Sequence, residues 1–140
     1  MKGITPIIAI IVLLLITVAL AGVAYSYLNS YMTGLTSKSI EVRDSFCVSG
    51  DTAIIIVANV GTTPIDVDET EGDILILNSA DGSTVPTANY AWYQTDGTTT
   101  LNNDEIPEGG LARLEIDCTT TCSYRLVSGD GRSHSAKVTC

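Results

Sequence analysis

Apolar positions divide the chain into two parts with different periods. Residues 3–37 carry no charge, and residues 4–28 are apolar almost without interruption. A helix of about 20 predominantly apolar residues crosses about 30 Å of hydrocarbon, so IAIIVLLLITVALAGVAYSYL predicts a membrane-spanning helix. Continued to about Ser37 at about 1.5 Å per residue it measures about 48 Å, longer than the bilayer is thick. Its outer end carries Ser26, Asn29, Ser30 and Thr33 and is expected to stand clear of lipid as a stalk. Pro6 suits the first turn of a helix, where its missing N–H loses no bond, and Thr5 is placed to cap. A secretory signal has an apolar region of only about 7–15 residues before its cut; here the small residues at 19–21 are followed by more of the same helix. Lys2 alone precedes the apolar run, so the amino end is expected to stay inside and the remainder to be displayed outside.

Gly22, Ser26, Ser30 and Gly34 recur every four residues. Such a stripe lets helix backbones approach closely, which matters in lipid because apolar surface alone does not drive helices together. Tyr27 and Tyr31 lie one step round the helix and are candidates for the membrane interface. Small residues are also common in membrane helices with no partner.

Beyond Lys38 the period changes to two. In 39–48, Ile40, Val42, Phe46 and Val48 alternate with polar neighbours, which predicts a half-buried strand with those four on its inner face. After a turn at 49–51, residues 52–60 are apolar on both faces, as in a central strand. Further strands are expected at 73–77, 88–94, 111–116, 123–127 and 133–140, the last two joined by a hairpin at Gly129-Asp130-Gly131, where glycine supplies the positive φ. Frequent turns with no helical period predict a β-sandwich. The fold class is therefore α+β: a long N-terminal hydrophobic helix followed by an all-β, immunoglobulin-like sandwich head. Residues 66–103 depart from any compact pattern and read as an insertion or outer face.

Composition narrows the function. The formal net charge is −9, nearly all of it beyond Lys38, which disfavours a nucleic-acid partner and suits a soluble exposed surface. About 100 residues remain after the helix, enough for one domain with a modest core. Cys47, Cys118, Cys122 and Cys140 all lie there. An even count in an exported domain suggests two disulfides, with three possible connectivities. Cys118 and Cys122 are near enough to close a small loop, which leaves Cys47 for Cys140. Alternation at Ala136, Val138 and Cys140 is expected to turn the last cysteine inward. Four thiolates could instead bind zinc, but the spacing lacks two C-x-x-C knuckles.

Nothing points to catalysis. His134 is the lone histidine, flanked by Ser133 and Ser135, with no acid and nucleophile arranged around it. Asp66, Asp68, Glu69, Glu71 and Asp73 do not match the spaced D-x-D-x-D-G calcium loop and read as a solvated loop. Asn89-Tyr90-Ala91-Trp92-Tyr93 concentrates aromatic surface, for the core or an edge strand, or for sugars or a neighbouring subunit. No cofactor is called for.

Lys2-Gly3 directly ahead of the apolar helix, followed by Ile4-Thr5-Pro6-Ile7-Ile8, resembles the class III signal peptide and mature start of archaeal type IV pilins. Val57-Ala58-Asn59-Val60-Gly61-Thr62-Thr63-Pro64-Ile65 and Ile106-Pro107-Glu108-Gly109-Gly110-Leu111-Ala112 are similar to the strand-and-turn segments of their heads. Bacterial pilins carry a glutamate where this chain has Ile8, and archaellins lack a proline so near the start. The resemblance implies cleavage between Gly3 and Ile4 by a prepilin-peptidase-like enzyme. It divides the chain into a signal peptide (1–3), a transmembrane and filament-core helix (4–37) and an extracellular head (38–140). It further implies a structural, non-enzymatic subunit of a cell-surface filament that serves adhesion. The subunit would lie in the membrane before assembly machinery joins it to identical copies in a helical polymer. A monomeric surface-binding protein on a single anchor and a minor pilin-like subunit are the other readings.

Overall fold

A computed structural model describes residues 3–48, 51–68, 72–101 and 104–140, with the backbone alone described at 34–36. It divides into two units, Met1–Gly34 and Leu35–Cys140.

The first unit is one helix, α1 (Ile4–Thr36, 33 residues). It begins at Ile4, so Thr5 lies inside the first turn rather than capping it, and Pro6 shares that turn. The helix is apolar all round: its large apolar side chains range from 47% exposed at Val12 to 75% at Tyr25. Such a helix has no polar face to offer water. Two of its hydroxyls bond back to the helix, Thr17 Oγ1 donating to the Leu14 carbonyl at 2.9 Å and Thr33 Oγ1 to that of Asn29 at 2.9 Å. These back-bonds remove the cost of a bare hydroxyl in hydrocarbon. Tyr27 and Tyr31, one turn apart, stack at 6.5 Å between centroids.

The second unit is all β. Its strands are β1 (Ile40–Val48), β2 (Thr52–Asn59), β3 (Ile65–Asp66), β4 (Ile74–Asn78), β5 (Tyr90–Tyr93), β6 (Glu105–Ile106), β7 (Leu111–Asp117), β8 (Thr121–Ser128) and β9 (Ser133–Thr139). They form a four-stranded sheet ordered β1-β2-β7-β5, a three-stranded sheet ordered β4-β8-β9 and a β3-β6 ribbon. With the ribbon set aside, the seven long strands take the letters A to G in chain order. The sheets are then ABED and CFG, the arrangement of a constant-type immunoglobulin domain. Ile55 and Leu114 from one sheet, Ile76 and Leu126 from the other, and Ile65 and Ile106 from the ribbon share one core. Near the start of β8, the Tyr124 hydroxyl donates to the Asp117 carbonyl at 2.6 Å, the tyrosine corner of such sandwiches. Burial there, then the Asp117 charge, pushes the Tyr124 hydroxyl up from its ordinary value.

Three sequence expectations need correction. In β1 the register slips between Val42 and Asp44. Arg43 is the extra residue of a β-bulge, and one extra residue exchanges the faces of everything after it. Phe46 (42% exposed) and Val48 (39%) therefore point outward, and Cys47 packs against the core. Cys140 does not continue the inward alternation of Ala136 and Val138, because β9 ends at Thr139 and the last residue is exposed. The stretch 66–103 does not stand apart from the sandwich: the strands expected at 73–77 and 88–94 are β4 and β5, two of the seven main strands. The ribbon strands β3 and β6, two residues each, are too short to show a period.

Candidate functional site

The two motif segments singled out in the head converge on Asn59, the last residue of β2, which is 1% exposed. Its amide nitrogen donates to the Thr63 carbonyl at 2.9 Å and the Ile106 carbonyl at 3.0 Å, and its amide oxygen accepts from the Gly61 N–H at 2.9 Å. Its backbone closes the other side, with Asn59 N donating to Gly110 O at 2.9 Å and Gly109 N to Asn59 O at 3.1 Å. Gly109 takes φ 66°, where a side chain is strained. One buried amide thus ties the turn after β2 to the turn before β7.

That turn grips the residues that follow the helix. The Ser37 carbonyl accepts from Thr62 N at 3.1 Å, Thr63 N at 3.0 Å and Thr63 Oγ1 at 2.6 Å, and the Ser39 carbonyl accepts from Val60 N at 2.9 Å. A Cβ on Gly61 would sit 2.5 Å from the Ser37 oxygen, so only glycine allows the approach. Lys38 reaches Asp73 at 2.6 Å, and the other Asp73 oxygen accepts from Asp66 N at 3.0 Å. Asp130, its side chain buried, receives the Ser128 hydroxyl and the Arg132 N–H. Burial works against its charge, yet bonds from Ser128, Arg132 and Ser39 prevail and hold its carboxyl below the ordinary range. Residues 37–39 are therefore collared by polar contacts from the turn after β2, from Asp73 just before β4 and from the β8–β9 turn.

Two covalent links complete the head. Cys47 is bonded to Cys140, Cα atoms 5.3 Å apart and 93 residues distant in sequence. Cys118 is bonded to Cys122 across the β7–β8 turn, Cα atoms 5.8 Å apart. The long link joins the end of strand A to the tail of strand G.

The helix stripe is bare. Gly22, Ser26 and Ser30 are exposed, and nothing lies within 4 Å of a Cβ built on Gly22. The surroundings of Gly34 lie outside the described residues, as do Lys2, Glu69 and Glu71; Gly3 and Ile4 are exposed. Asp73 serves Lys38. His134 is half-buried in β9 opposite Leu126. Tyr90 and Trp92 of edge strand β5 pack against the core. Sequence reasoning missed Asn59 as the hub: its partners lie as far as 47 residues away, and only burial shows them.

No protein-family model matches the chain, and no curated protein does. Among solved structures it is similar to the archaellum periplasmic stator protein FlaG from Sulfolobus acidocaldarius, at 13% identity and a TM-score of 0.49, covering 71% of this chain and 98% of that one. It is also similar to the stator complex of FlaF and FlaG from the same organism, at 14% identity and a TM-score of 0.46, covering 70% and 86%.

Proposed function

We propose that the chain is a structural subunit of an archaeal type IV pilus-like extracellular filament, polymerising through α1, displaying its β head and serving adhesion. The observation that carries this reading is the span Ile4–Thr33, long and apolar enough to cross a membrane, with none of its most apolar window buried in the monomer. About 20 apolar side chains at about 1.5–3 kcal/mol each represent tens of kcal/mol of exposure to water. Outside the membrane only neighbouring helices can cover that surface. Gly22 supports the same reading. Nothing in the monomer requires glycine there, although glycine inside a helix costs about 1 kcal/mol against alanine. A second helix approaching at Gly22, Ser26 and Ser30 supplies the reason.

In this scheme a prepilin-peptidase-like enzyme removes residues 1–3 and leaves Ile4 first. The helix stays in the cytoplasmic membrane until assembly machinery moves the subunit into the fibre, where the heads face outward. The test is to express the full chain in an archaeal host with pilus machinery, shear the cells and image the released material. Filaments whose subunit mass lacks residues 1–3, and which disappear with Gly22→Leu while the head still folds, are the expected outcome. A chain that keeps Met1 and remains monomeric in the membrane is instead a singly anchored surface protein.

A further inference from the structure

Cations are scarce in the head, and most are already used. Of the chain's seven Lys and Arg only Lys2 precedes the head. Lys38, Arg43, Arg113 and Arg132 each pair with a carboxylate of the same chain. Among the described residues the two head cations with no such pair are Arg125 and Lys137, and they occupy one face. Arg125 lies opposite Ser135, and Lys137 opposite Ser123, so the two are diagonal neighbours on the outer side of the β4-β8-β9 sheet. Leu77 lies beside Arg125 on β4, and Leu75 beside Val127; Leu75 is 47% exposed. The strands place no carboxylate on this side. A domain with sixteen acidic residues thus presents one basic, partly apolar face.

A hollow of 360 Å³ elsewhere on the head has the opposite character. Tyr90, Trp92 and Tyr93 of β5 line it together with Asp68 and Asp104. The Val67 N–H donates to the Asp104 carbonyl at 2.8 Å, which sets the two acids on adjacent chains. Asp104 is exposed, with no cation beside its carboxylate among the described residues. Aromatic faces beside carboxylates suit an ammonium or guanidinium group, by ring quadrupole and by charge together.

We propose that the Arg125–Lys137 face of one copy docks onto the Asp68–Asp104 aromatic hollow of the next. The two patches are different surfaces of one chain, so the contact is heterologous and propagates without closing on itself. A common membrane raises the local concentration of heads and lets a modest polar contact matter. The proposal rests on the assembly reading above and adds to it a second contact, between heads, that sets their order.

The test uses the full chain, in membranes and in sheared material, with isotope-labelled and unlabelled copies co-expressed and treated with a zero-length carbodiimide. An amide between the Lys137 amine and Asp68 or Asp104 that joins a labelled to an unlabelled copy is expected. Its yield should fall several-fold in about 1 M salt, where the screening length is about 3 Å. Asp104→Asn should lower it as well; asparagine tolerates the left-handed backbone at that position (φ 53°), so the loop keeps its form. Filaments without that link overturn the head contact and leave the subunit reading intact. The link in membranes that yield no filaments does the reverse. Links from Lys137 only to other carboxylates, or only within one copy, overturn the contact as well.

Discussion

The helix and the head are both rich in apolar residues, yet they use them in opposite ways. In α1 the backbone bonds are local and the Thr17 and Thr33 hydroxyls bond back to their own helix, while the apolar side chains stay exposed. In the head, Ile55, Leu114 and Leu126 are fully buried, and the buried Asn59 amide reaches the Ile106 carbonyl 47 residues away. One region buries its apolar side chains within its own fold, and the other leaves them exposed. Changes to the exposed helix surface should therefore leave the stability of the head untouched.

The largest effect that sharpens this contrast is loss of the long disulfide. Closing a loop of roughly 100 residues removes unfolded-state entropy equivalent to about 4.7 kcal/mol. At about 4–8 °C per kcal/mol for a domain of this size, Cys47→Ala with Cys140→Ala should lower the melting temperature of the head by about 20 °C or more. Helicity followed at 222 nm in detergent, on the order of that of the parent, should be unchanged. A helix that melts with the head would break the comparison.

A matched pair comes next. Leu114→Ala deletes fully buried side-chain volume and should cost the head about 2–5 kcal/mol. Leu14→Ala makes the same change on an exposed helix position and should leave head stability within about 0.5 kcal/mol. Denaturant titration read by Trp92 fluorescence compares them directly.

Asn59→Ala should cost somewhat less, about 2–3 kcal/mol, because it takes the amide donor from the Ile106 and Thr63 carbonyls and leaves the Gly61 N–H only its bond to the Ser39 carbonyl. Proteolysis at the turn after β2 should rise before the core opens, and an unchanged cleavage pattern would show that the hub is dispensable.

The smallest effect depends on pH. The Asp130 carboxyl binds its proton less readily in the folded head than in the unfolded chain. Its contribution is therefore complete above about pH 4 and is lost as pH falls through the depressed folded value. Asp130→Asn should lower the melting temperature slightly at pH 7, and the gap from the parent should close in acid. A gap that widens in acid would reverse the sign.

Much of this was legible because two periods were long enough to read. An uncharged apolar run of that length admits few structures, and the alternations in β7 and β9 persist through each strand. Where legibility failed, one residue decided the matter. Arg43 as a bulge residue looks like any other strand residue, yet it exchanges the faces of Phe46 and Cys47. The turn glycines and Asn59 were visible as a motif, but their partnership with Ser37 and Ile106 is a long-range fact. That Arg125 has no carboxylate partner among the described residues could be learned only once the strands were in register.

The link between Cys47 and Cys140 also bears on how the head responds to tension. A pull arriving through residue 37 meets the Ser37 carbonyl and its three donors, and after that β1, which lies at the edge of its sheet and can peel away one bond at a time. Peeling stops at Cys47, because everything from there to Cys140 is a closed ring. The slack released is the stretch from residue 40 to 47, roughly 27 Å at about 3.4 Å per residue. The unlinked head would pay out roughly 350 Å at about 3.3 Å per residue. A tethered head of this kind yields by one strand and then behaves as a hard stop.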